Sequence, residues 1–414
     1  MSKKFLIIII TSILLLAVLV GGYLFLKSSG TPFSETVSGL LPFGSGDDLP
    51  SSTTETENPS ETTEEPVSNE EDSSEKTFFQ LSDVPVAGAV VLNKNSSTTV
   101  ARYVDRATGH IYEIDLLTLK KTKITNQTLP KIYEAYFRTD GKAVLVRFLK
   151  DDTDLVENLS FALSLPKPTA TSSPETDMLY TVVSTPIRGD IGSVTVGSGD
   201  NLIYSLEDSL SIVSSAFNGS GLKTLFSSPF TNWRLMTSGN SLVVHTKASF
   251  SVPGYAYSLN TSSGAFTKIL GPFNALTALS NTQGSRVLYS YAVNNETLSF
   301  VKNIPADDIN ELSATTLADK CVWSTKNTAL VFCGVPSNKI GINEPDNWYK
   351  GVSVFYDRVW SFDTDTGVAQ VLLELPTELG SIDVIEPKLS PNEDYLIFIN
   401  KIDLTLWALR LEEL

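Results

Sequence analysis

Four side chains bound the chemistry open to this chain: two cysteines and two histidines among 414 residues. Cys321 and Cys333 flank the turn of one strand-turn-strand run, "CVWSTKNTALVFC". A hairpin register centred on Asn327 sets them directly opposite, so the sequence predicts a disulfide and an oxidising compartment. His110 and His245 are too few for a His-ligated zinc centre, and they leave most Ser-His or Cys-His schemes without parts. No G-x-S-x-G, P-loop or C-x-x-C occurs. His245 closes the apolar run "SLVVH" and reads as a strand residue. "DTDTG", Asp363 to Gly367, opens like a calcium loop with Glu374 where the final ligand belongs, but Val368 stands where such a loop needs Gly. It reads as a structural turn. "RGD", Arg188 to Asp190, falls at a hand-over between repeats and reads as a connector. No catalytic group, metal or cofactor is expected from these residues.

The elements that must carry any site divide the chain in three. Phe5 to Leu26 is free of charge and long enough to cross roughly 30 Å of hydrocarbon as a helix rising about 1.5 Å per residue. Lys3 and Lys4 precede it, and no basic residue lies between Lys27 and Lys76. The positive-inside bias predicts a single-pass anchor over 1–26, with a cytoplasmic N-terminus and everything beyond it extracytoplasmic. The length of the run and the lack of an A-x-A site weigh against a cleaved signal peptide. Residues 27–76 form a Ser/Thr/Glu/Pro tract with too little apolar surface to offset chain entropy, and a disordered acidic stalk is expected. Residues 1–76 carry 12 acidic and 4 basic groups, leaving 35 and 27 for the rest. That surplus of negative charge argues against nucleic acid or an anionic membrane surface as partner.

Over 77–414 one unit recurs: a short strand, a polar tight turn and a strongly apolar β-branched strand. The last apolar residues before each turn are Leu92, Phe137, Val196, Met236, Leu279, Trp323 and Leu389. Their spacings are 45, 59, 40, 43, 44 and 66. Four of the six match the roughly 40 to 45 residues of a four-stranded propeller blade, and the two long ones imply insertions. A second hairpin follows in several units, as in "YAYSLNTSSGAFTKIL" and "VWSFDTDTGVAQVLLEL". Two hairpins per unit over seven units predict an all-β chain, a seven-bladed β-propeller. The seventh unit ends one strand short, and "TFFQLSDVPV" precedes the first unit without a partner. Pairing 77–82 with 404–411 is expected to close the ring.

"SPNEDYLIF", "RTDGKAVLV" and "DTDTG" resemble the turns of TolB-like propellers, relatives of the WD repeats, whose blades carry Ser-Pro-Asp-Gly at the first turn and Asp-x-x-Thr-Gly at the last. No Gly-His or Trp-Asp signature accompanies them. "RATGHIYE" and "KCVWS…VFCGVP" are similar to membrane-anchored bacterial propellers, which implies a location and no activity.

In such a fold the loops between second and third strands emerge on one face. That face is expected to gather Arg106, His110, Asp151, Asp152, Asp154, Glu344, Asp346, Trp348 and Tyr349, the last four from the long insertion in the sixth unit. Arg106, His110, Asp346, Trp348 and Tyr349 are the candidate binding residues, because exposed aromatics beside charges suit recognition. The rival expectation is that Trp348 and Tyr349 plug the insertion onto its own blade. The function expected is a binding or scaffolding module for an envelope protein, peptide or glycan. The alternative is a hydrolase or lyase using carboxylates near the propeller channel.

Overall fold

The computed structural model describes residues 77–411 apart from 151, 152, 154, 166–178, 198, 200, 240 and 375–379. The expected anchor and stalk, and Asp151, Asp152 and Asp154, lie outside the described residues. The described chain forms seven four-stranded antiparallel sheets. Their first strands are Val86–Asn95, Ile132–Phe137, Ile191–Val196, Trp233–Ser238, Thr277–Ser280, Cys321–Trp323 and Val384–Leu389. Each of the seven residues that mark the sequence period falls on one of them.

The second strands are apolar almost throughout because both of their faces are covered. Tyr395–Asn400, "YLIFIN", is buried at every position, as a continuous β-branched and aromatic run requires. Outermost strands such as Asp308–Glu311 are exposed throughout and charged, which protects an open edge from further pairing. The apolar cores lie between sheets. Ala87, Val104 and Ile111 of the first sheet pack on Ile132, Val144 and Phe161 of the second. Val91 and Tyr103 of the first also pack on Tyr395, Ile397 and Leu406 of the seventh.

First strands neighbour one another in sheet order, and that of the seventh lies against that of the first. Gly88 marks how close they come: a Cβ there would sit 2.1 Å from the Ala135 carbonyl oxygen. The seventh sheet is completed from the other end of the described chain. Phe78–Gln80 pairs antiparallel with Leu406–Arg410 in the register Phe78 to Leu409, Phe79 to Ala408 and Gln80 to Trp407.

Cys321 and Cys333 are direct register partners, joined by a disulfide with Cα atoms 4.1 Å apart. "DTDTG" is a turn: Asp363 Oδ1 accepts the amides of Asp365 and Thr366 at 2.9 and 3.1 Å. Arg188 is paired with Asp190 between the second and third sheets, so the tripeptide is a braced connector. His245 is a buried strand residue whose Nδ1 lies 3.0 Å from the Thr246 carbonyl oxygen.

Candidate functional site

The long insertion, 337–356, runs between the second and third strands of the sixth sheet, Leu330–Pro336 and Asp357–Asp363. It carries a single-turn helix, α1, over Asp346–Tyr349. Glu344 organises its start, accepting the Trp348 amide at 2.9 Å and the Ser353 hydroxyl at 2.6 Å. Trp348 is 3% exposed and packs with Leu317, Ile340 and Phe355. Its indole N–H donates to both oxygens of Asp383, at 2.8 and 3.1 Å. Exposure of this indole was the premise of its recognition role; the structure corrects it, because Trp348 is the core of a plug. Asp346 is likewise engaged, its Oδ2 accepting the Phe250 amide at 2.5 Å from a loop of the fourth sheet.

Tyr349 is half-buried, and its hydroxyl donates to Asp319 at 3.2 Å. Burial, then the Asp319 charge, pushes that hydroxyl well above the usual tyrosine range. The Arg234 guanidinium lies 6.0 Å from the Tyr349 ring, and Lys401 Nζ lies 5.4 Å from the Trp348 ring. One short segment therefore ties together loops of the fourth, sixth and seventh sheets. Arg106 and His110 occupy the matching loop of the first sheet. Arg106 Nε donates to the Ile132 carbonyl at 3.1 Å, and burial lowers its pKa against the pull of Glu134. Burial, then Lys123, lowers that of His110. No hydrogen bond, ion pair or ring contact joins either to the insertion among the described residues, so the five candidates form two separate groups.

Three further groups lie beneath or beside these candidates. Beneath the plug, Lys320, Asp357 and Asp383 are fully buried together. On the first strands, Tyr136 donates to Glu134 at 3.1 Å, and both act electrostatically on Glu386 of the seventh sheet or feel it. Burial raises Glu386, with Lys388 opposing and Glu134 reinforcing. The Glu134 and Glu386 side chains still keep 34% and 45% of their surface, so solvent reaches both.

The third group lines a polar cleft of about 180 Å³ between the second, third and fourth sheets. Arg147, Glu207, Phe230, Trp233, Arg234 and Lys247 contribute to it. Arg147 is fully engaged, donating to Glu134, Asn158 and the carbonyls of Ile191 and Gly192. Arg234 and Lys247 make no side-chain hydrogen bond or ion pair among the described residues, and Phe230 stands 62% exposed at the rim. Sequence reasoning missed all three groups. "FTNWR", Phe230 to Arg234, carried a usable signal, aromatics beside a cation at a hand-over between repeats. Lys320, Asp357 and Asp383 carried none, being brought together only by the fold. Among the described residues no group of three or more His, Cys, Asp or Glu side chains could hold a metal ion.

No family model matches the chain, and no curated protein matches it in sequence. Among solved structures, an oligogalacturonate lyase in complex with manganese aligns with a TM-score of 0.52 at 10% identity, over 81% of this chain and 93% of that one. A streptogramin B lyase aligns at 0.48 and 10%, over 81% and 97%. An oligogalacturonate lyase from Vibrio parahaemolyticus aligns at 0.48 and 11%, over 81% and 94%. The first of these likenesses shows the fold, a β-propeller, and at such identity it shows the fold alone.

Proposed function

We propose that this chain is a TolB-like, seven-bladed propeller, anchored through 5–26 and held off the membrane by 27–76, that binds an envelope protein, peptide or glycan. The observation that carries the binding role is the cleft beside the plug. Two cations that make no side-chain hydrogen bond or ion pair among the described residues, Arg234 and Lys247, stand there with an exposed ring, Phe230, and Arg234 also faces the Tyr349 ring of the insertion at 6.0 Å. A solvated charge that no carboxylate neutralises and an aromatic that no core covers are the side chains an interface uses to hold a partner. The binding surface is thereby moved from Trp348 to its neighbours.

Crosslinking on intact cells, followed by identification of the captured partner, tests the role. Replacing Phe230, Arg234 and Lys247 together by Ala is expected to leave melting unchanged and weaken capture at least tenfold, about 1.4 kcal/mol. Capture unaffected by the triple change would end this reading. One observation favours the alternative, a hydrolase or lyase: Glu134, Tyr136 and Glu386 lie within electrostatic reach of one another on first strands of the second and seventh sheets, and burial raises the Glu386 pKa toward an acid role. Under that reading Glu386→Gln abolishes turnover of a glycan while the cleft variant keeps it.

A further inference from the structure

Lys320 ends a single 3-10 turn, Ala318–Lys320, before the sixth sheet, and its side chain has no exposed surface. Its Nζ contacts Asp383 Oδ1, lies 2.7 Å from Asp357 Oδ2 and donates to the Val384 carbonyl at 3.1 Å. The rings of Trp348 and Phe355 cover it at 4.8 and 5.1 Å from their centroids. One amine and two carboxyl groups are thus sealed from water in direct contact with one another.

The two carboxyl groups are not equivalent. Asp383 offers one oxygen to the amine, while its Oδ2 accepts the Trp348 indole N–H at 2.8 Å and the Phe355 amide at 3.0 Å. Negative charge developing on Oδ2 would meet two fixed donors. Asp357 places Oδ2 between the amine and the Val384 amide, 2.7 Å away, and its buried Oδ1 has no partner. Burial pushes its pKa up to about 6, against Lys320 and with Asp383, so it can carry a proton in either direction near neutrality. Nucleophile, electrophile, oxyanion donors and proton carrier stand in contact in a dry site, which removes most of the entropic barrier to their reaction.

We propose that Lys320 and Asp383 condense into an intramolecular isopeptide bond, Nζ to Cγ, with Asp357 as proton carrier. The ammonium first gives a proton to Asp383 Oδ1, leaving a neutral amine beside a carboxylic acid. The amine lone pair attacks Cγ, and the carbonyl electron pair moves to Oδ2, held by Trp348 and Phe355. Asp357 takes a proton from the nitrogen and returns it to the Oδ1 hydroxyl. The C–Oδ1 bond breaks, water leaves, the carbonyl reforms and Asp357 ends as it began. No oxidant or co-reactant is needed. The bond joins residues 63 apart and encloses the whole sixth sheet with its disulfide and plug. It is independent of the binding role proposed above.

Mass spectrometry of the purified full-length chain, reduced and denatured, tests the bond. The expected protein is lighter than its sequence by one water, its tryptic map lacks cleavage after Lys320, and a branched peptide joins Lys320 to Asp383. The branched peptide separates this from an aspartate cyclised on its own backbone. Asp383→Ala is expected to restore the full sequence mass and cleavage after Lys320. Asp357→Ala is expected to leave the two groups unjoined while Asp383 remains. Should either variant fail to fold, the wild-type chain decides alone: folded protein of full sequence mass, cut by trypsin after Lys320, overturns the proposal.

Discussion

Arg102 and Glu113 are register partners on the second and third strands of the first sheet, and both are buried. Arg102 Nε meets Glu113 Oε2 at 2.7 Å, and its other nitrogens donate to the Gly141 carbonyl and the Tyr180 hydroxyl at 2.9 Å. Burial alone would raise Glu113, but Lys94 and Arg102 outweigh it and hold the carboxyl below its usual range. Its folded pKa is therefore below the unfolded one, so the stabilisation is complete above the ordinary carboxylate range and is lost as pH falls through the folded value. Glu113→Gln leaves Arg102 buried without its carboxylate and is expected to cost about 3 to 5 kcal/mol by denaturant unfolding at neutral pH. That gap should narrow on acidification. Lys94 touches the same carboxylate but is 55% exposed, so Lys94→Met is expected to cost no more than about 1 kcal/mol. Equal losses would mean that burial does not set the worth of the pair. Side chains like these explain what was illegible at this scale. Trp348 drew notice by its residue type, yet its burial depends on Asp383, 35 positions on, and no local pattern in the sequence encodes that distance.

The hairpin of Cys321–Trp323 and Leu330–Pro336 shows the opposite case, where sequence was enough. Symmetry about Asn327 set the register, and the register set the disulfide, because in an antiparallel pair direct opposition follows from counting alone. Replacing both cysteines by Ser should lower stability by roughly 2 to 3 kcal/mol, the chain-entropy value for so short a loop. Thermal unfolding with and without reductant checks it: reductant should shift the wild type toward the variant and leave the variant unmoved. An unshifted wild type would mean that the packing of Cys321 with Trp323 and Val331, and not the covalent link, holds the strands. The repeat markers were legible for a similar reason, since a turn that starts an apolar strand has its own residue chemistry. The 66-residue interval announced an insertion, but its course did not follow. Asp346 reaching Phe250 is a contact between the sixth and fourth sheets, and Tyr349 reaching Asp319 joins the insertion to the turn that enters its own sheet; both are fixed by the tertiary arrangement and not by any element's own sequence.

For the molecule as a whole, the decisive contact joins the two ends of the described chain. Leu406–Arg410 would be an open edge at the seventh sheet if Phe78–Gln80 did not pair with it, and the hydrogen bonds continue on both sides of that strand. The Arg410 amide donates to Thr77 and the Leu81 amide to Leu406, each at 2.7 Å. Phe78 stacks on Trp407 with ring centroids 5.0 Å apart, and Phe79 is 6% exposed in the core shared by the first and seventh sheets. Burying each ring is worth about 1.5 to 3 kcal/mol, so the short strand contributes far more than its three residues suggest. This closure was legible because a strand-like run without a partner at one end matched a sheet one strand short at the other. Deleting 77–82 is expected to remove at least about 3 to 6 kcal/mol and to broaden unfolding, since the seventh sheet loses its outermost strand and the core it shares with the first sheet loses Phe79. Deleting 40–70, within the proposed stalk, should leave the midpoint unchanged. The stalk deletion removes 31 residues against six, so a larger loss from the shorter deletion is due to the clasp and not to the length of chain removed. If both melt alike, the ring does not depend on its terminal strand, and the seventh sheet must be held by the Lys388 ammonium on the Ala89 carbonyl, 2.6 Å away, and by apolar packing on the first sheet.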